Sequence, residues 1–581
     1  MGPTVKQDEN KTVAERIALA LKRHGVEIIF AQSLPSAVIL AAEALGIRQV
    51  AYRQENMGGA MADGYARVSG RIAVVAAQNG PAATLLVPPL AEAYKASIPV
   101  VALVQEVERP QVDRNAFQEL DHIALFSSCA KFVRRMLTAD RADDYVDAAF
   151  VAAGSGRPGP AVLLLPADLL REPATPARTQ RNVRYGRWPI DRTRPASEVI
   201  DRAADMIAAA RAPVVMAGGG AVSAGAAAAL SRLQETAHLP VFTTNMGKGS
   251  VDESHPLSCG VLGALNGPRS LGRHTRRLVD EADTILLVGT RTNQNGTDSW
   301  RSIPSSAEII HIDIDPEEIG RNYQALRLVG DAATTLDALA TALQGRDLGK
   351  RQRRRAELEK GIADAWHRFN IDRARLAEAN SAPIRPERIM KELQNQLTPE
   401  TIVVADASYS SMWIVGQLRS LRAGMRFITP RGLAGLGWGL PLAIGAKLAE
   451  PDNPVIAIVG DGGFAHSWAE IETMIRCRIP VVVIVINNGV LGYQKDAETA
   501  KFGSYTTACH FSPVSHADIA RACGCDSVRI DAPGDIARAL ETAIASGRPW
   551  LIDVMSSPDA HPPISLYDGT LDKPELAEAA I

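Results

Sequence analysis

The residues with the clearest chemical potential stand at two strand ends. Residues 455–459 (VIAIV) form an apolar run that stops at Gly460, Asp461, Gly462, Gly463 and Phe464, and residues 481–486 (VVVIVI) form a second that stops at Asn487, Asn488 and Gly489. A helical pattern through Ala469, Ile471, Glu472, Met474 and Ile475 separates them, so a single βαβ crossover carries Asp461 and Asn488 to one edge of one sheet. Carboxylate and amide oxygens are hard ligands suited to Mg²⁺, and an oxygen site with few protein ligands completes its shell with phosphate oxygens. Gly462 and Gly463, at a helix N-terminus, let a phosphate come close to backbone N–H groups. Taken singly, each half is an ordinary turn. Together, at crossover spacing, they point to a clamp for a magnesium-bound diphosphate.

The elements that must position this clamp recur along the chain as a short apolar run, a Gly-rich turn and a helical pattern. Strands are predicted at 71–77, 98–104 and 161–165, then at 213–217, 284–289 and 308–314, then at 402–405, 455–460, 481–486 and 550–555. The Ala-rich segment 221–238 reads as one helix. The basic run 350–355 (KRQRRR) reads as the start of an exposed connecting helix. The chain is therefore expected to be α/β, with three doubly wound domains and mainly parallel sheets at 1–172, 196–345 and 383–560. Linkers are expected at 173–195 and 346–382, and a tail at 561–581. In such sheets ligands bind beyond the carboxyl ends of the strands.

Composition narrows the partners. Among 581 residues, 63 Lys and Arg balance 65 Asp and Glu, a net charge of −2, and aromatics make up only 5%. Neither nucleic acid nor an anionic membrane is an expected partner. The longest apolar runs are too short to span a bilayer, and the polar first ten residues lack the apolar stretch of a secretory signal. Six scattered cysteines do not suggest a disulfide scaffold, so a cytoplasmic protein is expected.

The Gly460-Asp461-Gly462 and Asn487-Asn488 pair resembles the cofactor motif of the thiamine-diphosphate superfamily of acetolactate synthase, pyruvate decarboxylase and benzoylformate decarboxylase. The resemblance implies pyrimidine-binding, central and diphosphate-binding domains. It implies that Asp461, the Asn488 side chain and the Val490 carbonyl hold Mg²⁺, and that Ser408, Ser410, Gly460, Gly462 and Gly463 join the cofactor-binding set. Residues 52–67 (YRQENMGGAMADGYAR) resemble the family segment R-H-E-x-x-A-x-x-A-D-G-Y-A-R, with Gln54 in place of the His. Its Glu, here Glu55, bonds the pyrimidine N1′ and promotes loss of the C2 proton. Residues 432–441 (GLAGLGWGLP) resemble G-L-G-T-M-G-F-G-L-P, which puts Leu436 as the wedge between the cofactor rings and the Ala434 carbonyl near the pyrimidine amino group. The family builds each site from two subunits, so a homodimer or homotetramer is implied.

Within the superfamily, residues 115–121 (NAFQELD) resemble the D-A-F-Q-E-x-D segment of acetolactate synthase, which places Phe117 and Gln118 beside the substrate, and Lys131 falls where that enzyme has a Lys. Other segments depart from it. Residues 79–84 (NGPAAT) replace S-G-P-G-A-T, 30–36 (FAQSLPS) replace F-G-x-P-G, and 289–295 (GTRTNQN) replace G-A-R-F-D-D-R. Residues 489–495 (GVLGYQK) lack the Trp of the synthase, and Asp113-Arg114 stands where pyruvate decarboxylases have paired His. The central segments 218–220 (GGG), 311–316 (HIDIDP) and 330–331 (GD) keep a synthase-like frame, which leaves FAD, another nucleotide or no ligand open. The expected function is acetolactate-synthase-like decarboxylation and carboligation of a 2-oxo acid. A decarboxylase or C–C lyase for a larger substrate is the alternative among enzymes, and a non-catalytic nucleotide-binding regulatory protein the alternative outside them.

Overall fold

The computed structural model describes residues 11–174 and 181–571; the first ten residues, residues 175–180 of the expected linker and residues 572–581 of the expected tail lie outside the described residues. Three six-stranded sheets organise what is described, and every ladder within them is parallel. The first contains β1 (Ile28–Ala31), β2 (Arg48–Val50), β3 (Ala73–Ala77), β4 (Val100–Glu106), β5 (Phe132–Arg135) and β6 (Ala161–Pro166), in the order β2-β1-β3-β4-β6-β5. The second contains β7 (Pro213–Ala217), β8 (Val241–Thr243), β9 (Ser258–Val261), β10 (Thr284–Val288), β11 (Glu308–Asp313) and β12 (Leu326–Val329), in the order β12-β11-β10-β7-β8-β9. The third contains β13 (Ile402–Ala405), β14 (Phe427–Ile428), β15 (Val455–Gly460), β16 (Val482–Asn487), β17 (Asp526–Ile530) and β18 (Trp550–Met555), in the order β14-β13-β15-β16-β18-β17.

The central strands β3, β4, β6, β7 and β10 are runs of buried, mainly apolar residues, interrupted only at the half-buried Gln105, as expected where helices cover both sheet faces. The first and third sheets share one strand order. In each the chain turns back at the far edge, where β6 lies inside β5 and β18 inside β17, and it also reverses direction of travel between β1 and β3 and between β13 and β15. The reversal leaves a crevice at the carboxyl ends of the two strands, the general ligand position of open α/β sheets. Ser408 follows β13 and Asp461 follows β15, so the third crevice is flanked by residues of the expected cofactor set. The second sheet has the other common doubly wound order, with its reversal between β7 and β10.

Two compact units cut across the sequence modules. One gathers Met1–Asp191, Pro430–Asp452 and Ser467–Val481, and the other takes Arg192–Thr429, Asn453–His466 and Val482–Ile581. The helix Gly439–Ala449 belongs by sequence to the third module, yet within the first unit it packs on the helix Glu55–Ser69. The two backbones touch: a methyl group at Gly64 would run into the Leu442 carbonyl, and one at Gly445 into the Met61 carbonyl.

Three expectations change. The Ala-rich segment is two helices, Gly219–Ser223 and Ala227–Ala237, because Gly225 adopts a left-handed φ of 64° between them. The basic run does open the long helix Gly349–Ala377, but Arg351 is buried. Its guanidinium donates to the Ala237 carbonyl (3.1 Å) and to that of Ile207, satisfying the last turns of two helices. The linker residues after 181 pack on the first sheet's layer, with the Ile72 N–H donating to the Gly186 carbonyl and the Tyr185 N–H to His24 Nδ1.

The crossing of Glu55–Ser69 and Gly439–Ala449 has a direct test. Gly445→Ala is expected to destabilise the protein by about 1–3 kcal/mol. Gly361→Ala, in the open middle of the long helix, is expected to be neutral or to stabilise by up to ~1 kcal/mol. Scanning calorimetry should show the two thermal midpoints moving apart.

Candidate active site

The parallel register of β15 and β16 sets Gly460 opposite Ile486, so the residues that follow them lie side by side. The Gly489 N–H donates to Asp461 Oδ2 at 2.7 Å. The expected convergence of the two motifs is therefore a direct hydrogen bond. The two asparagines separate by role. Asn487, the last residue of β16, is buried, and its Nδ2 donates to the Val514 carbonyl and to Asp553 Oδ1. Asn488 stands half-buried one residue beyond, with Oδ1 accepting the Val490 N–H at 3.1 Å. Pairing of Val490 with His510 uses the Gly489 carbonyl and the Leu491 N–H, so strand alternation turns the Val490 carbonyl away from that partner.

Asp461 is only 7% exposed. Burial pushes its carboxyl up to about 6, against the opposing N–H groups of Gly489 and Gly462. Among the described residues its charge is met by backbone N–H groups. The expected helix after Gly462 is shorter than its pattern suggests: one turn, Asp461–Phe464, then a bend before Glu470–Cys477. Gly462 also makes room for Phe511, whose ring would lie 2.7 Å from a methyl group there. Ser410 is buried with its Oγ 3.6 Å from where a Gly460 Cβ would sit, and Ser408 precedes the helix Tyr409–Gln417 with a φ of 64°.

Glu55, Ala434 and Leu436 lie in the other unit. Glu55 is the half-buried first residue of its helix. The buried Glu470 carboxylate accepts the Arg53 N–H at 3.0 Å, fixing the chain as it enters that helix. Tyr52, buried, donates its hydroxyl to the Ala76 carbonyl at 2.7 Å. Ala434 has a φ of 61°, and Leu436 projects with its side chain partly exposed. Their loop is gripped by Glu92, which the sequence reading did not single out. Its carboxylate accepts the N–H groups of Gly432 (2.6 Å), Leu433 (2.5 Å) and Ala434 (3.2 Å). Burial pushes the Glu92 carboxyl up, while Arg67 at 3.7 Å and these N–H groups oppose that push. Arg67 in turn pairs with Asp63, so the helix that begins at Glu55 also anchors the Leu436 loop.

Gln118 and Phe117 sit on the loop after β4. Phe117 is 86% exposed. The Gln118 backbone is left-handed, and its Oε1 is buried with no donor among the described residues. Lys131 caps a helix: Nζ donates to the carbonyls of Ala152 (2.6 Å), Ser155 (3.0 Å) and Arg157 (2.6 Å) at the end of Ala142–Gly154. In the central domain the glycine triplet stands at the strand reversal. Methyl groups at Gly218 and Gly220 would meet the backbone of Gly289, so close packing accounts for these glycines and they do not by themselves call for a nucleotide. His311 donates Nε2–H to the Thr290 carbonyl at 3.0 Å, and burial pushes its imidazole down to about 4.

The three parallel sheets define a doubly wound α/β protein. Residues 11–125 match the family model described as thiamine pyrophosphate enzyme, N-terminal TPP binding domain, residues 200–339 the central domain and residues 406–554 the C-terminal TPP binding domain. The chain belongs to the thiamine-pyrophosphate enzymes. It is 33% identical to a probable acetolactate synthase large subunit of Methanocaldococcus jannaschii, across 94% of this chain and 92% of that protein. It is 31% identical to an acetolactate synthase of Mycobacterium bovis, across 94% and 88%, and 32% identical to one of Arthrospira platensis, across 93% and 93%. Among the described residues no helix is long and apolar enough to cross a membrane, and all six cysteines carry free thiols.

The Asp461 environment sets a pH dependence. An unfolded Asp titrates near 3.9, so the contribution of Asp461 to the stability of the metal-free fold falls as pH rises from roughly 4 to 6, by on the order of 2–3 kcal/mol, and is level above. In chelator-treated protein at pH 7.5, Asp461→Asn is expected to raise the thermal midpoint. If Asp461 holds a metal ion, the same variant is expected to show a smaller rise on adding Mg²⁺ and thiamine diphosphate than the parent protein does.

Proposed function

We propose that this protein is a thiamine-diphosphate- and Mg²⁺-dependent enzyme that decarboxylates a small 2-oxo acid and joins the retained fragment to a second carbonyl compound, as acetolactate synthase does. The observation that carries the reading is the hydrogen bond between Asp461 and the peptide following Asn488, at the reversal of a sheet in a chain of this family. The donor set there, one buried carboxylate, one amide oxygen and one backbone carbonyl, fits a hard divalent ion that keeps positions for phosphate oxygens. Asp461, Asn488 and the Val490 carbonyl hold the ion in this reading, and Ser408, Ser410, Gly460, Gly462 and Gly463 surround the diphosphate.

Bound thiamine diphosphate supplies an electron sink for the carbon–carbon chemistry. The chain's own groups bind and orient. Glu55 shares a proton at its carboxylate with the pyrimidine, at the start of a helix held rigid by Glu470 and by the Gly64–Gly445 crossing. Leu436 and the Ala434 carbonyl bear on the cofactor from a loop that Glu92 keeps in place. Gln118 Oε1 accepts a hydroxyl hydrogen from the reacting molecule, and Phe117 borders it. Assembly of at least two copies completes the site, as the resemblance implies, and a cytoplasmic setting suits six free thiols. The central domain is assigned no step.

Incubation with pyruvate, thiamine diphosphate and Mg²⁺, followed by mass spectrometry for acetolactate and CO₂, tests the reading. Acetolactate is the expected product. Consumption of a bulkier 2-oxo acid with pyruvate untouched would move the assignment to a decarboxylase or lyase. Glu55→Gln is expected to lower turnover by at least ~10²-fold; unchanged turnover would sink the catalytic reading. Glu92→Gln, which leaves the 432–434 N–H groups a weaker acceptor, is expected to raise the calorimetric Kd for thiamine diphosphate by roughly tenfold.

A further inference from the structure

Gln118 is four residues upstream of His122, a residue with no part in the proposed chemistry and only 2% exposed. His122 opens the short helix His122–Phe126 at the carboxyl edge of the first sheet. Three strand ends of that sheet meet around its ring. The Gly80 N–H, just past β3, donates to Nε2 at 3.0 Å. Glu106, the last residue of β4, lies 3.3 Å from Nδ1. Arg135, the last residue of β5, pairs with both Glu106 oxygens and holds the carboxylate charged. A backbone N–H can only donate, so Nε2 carries the lone pair and the ring proton sits on Nδ1, facing Glu106.

The Gly80 turn is in turn the seat of Gln118. Gly80 has φ 61° and ψ −118°, a conformation open to glycine, and a methyl group there would lie 2.8 Å from Gln118 Cβ. The neighbouring Asn79 donates Nδ2 to the Gln118 carbonyl at 3.0 Å. The left-handed Gln118 backbone is thus pressed against a turn whose amide His122 holds.

We propose that His122 is a positioning residue for Gln118: as a neutral imidazole with its proton on Nδ1, oriented by Glu106 and Arg135, it fixes the Gly80 turn and through it the amide that faces the reacting molecule. This rests on the reading of Gln118 given above. A structural histidine serving only the fold would tie its loss to stability and leave product partition and the coupling to Gln118 unaffected.

The test uses the holoenzyme with pyruvate. His122→Leu is expected to lower kcat by on the order of ten- to a hundredfold and to shift the ratio of ligated to simply decarboxylated product. The calorimetric Kd for thiamine diphosphate should stay within about threefold. His122→Gln, whose side-chain oxygen can accept the Gly80 N–H, should recover most of the loss. Gln118→Ala should cost about as much as His122→Leu, and the double variant little more than either, because both remove one function. Additive losses, or full activity in His122→Leu, would overturn the proposal while leaving Gln118 in its role; full activity in Gln118→Ala would overturn both. A check independent of any damaged fold is ¹⁵N NMR of the histidine-labelled parent protein, with the His122 signal assigned by its absence from His122→Gln. A lone pair at Nε2 supports the proposal, and a lone pair at Nδ1 or a doubly protonated ring refutes it.

Discussion

A carboxylate kept from water at the end of β15 is the constraint on which the diphosphate-binding half depends. Burying an ionised acid is costly unless a cation or several N–H groups meet it. Here only backbone N–H groups do so, and the sheet supplies them by register: β16 places the peptide after Asn488 against Asp461. The strand order then leaves open space beyond these strand ends, at the reversal between β13 and β15. Charge, register and topology act on the same few atoms.

The other half relies on acids used differently. Glu92 and Glu470 each accept backbone N–H groups and so fix a loop or a helix entrance: residues 432–434 and Arg53 respectively. A carboxylate with two acceptor oxygens can hold several peptides at once, and inside a low-dielectric interior each such bond is stronger than at the surface. Glu55 and Leu436 are thereby carried on backbone whose freedom has been removed. Tying loops to buried acids is one way to hold the residues they carry in place.

Much of this was legible along the chain, for reasons that differ by element. The inner strands β7, β13, β15 and β18 fall on the expected residues because strands buried on both faces read as unbroken apolar runs. The edge strands β2 and β17 were not singled out, since RQV and DSVRI carry polar residues that face water on an exposed edge. The break at Gly225 is a single left-handed residue within an alanine-rich stretch that otherwise favours helix. Arg351 looked like one more surface cation, and its burial depends on two helix ends, at Ile207 and Ala237, that are distant in sequence.

The sequence by itself determined where the chemistry-bearing residues stand relative to strand ends, and hence the fold class, the meeting of the Asp461 and Asn488 turns, and the candidate set around Glu55, Gln118 and Leu436. These follow from local spacing, since a crossover of fixed length returns the chain to the same sheet edge. Only the tertiary structure decided which of two adjacent asparagines is structural, that Glu92 and Glu470 hold the loops around Glu55, and that His122 faces Gly80 and Glu106, with Arg135 on the Glu106 carboxylate. Such partners are chosen by packing between segments far apart in the chain, and a buried polar atom takes whichever complementary group the fold brings within about 3 Å.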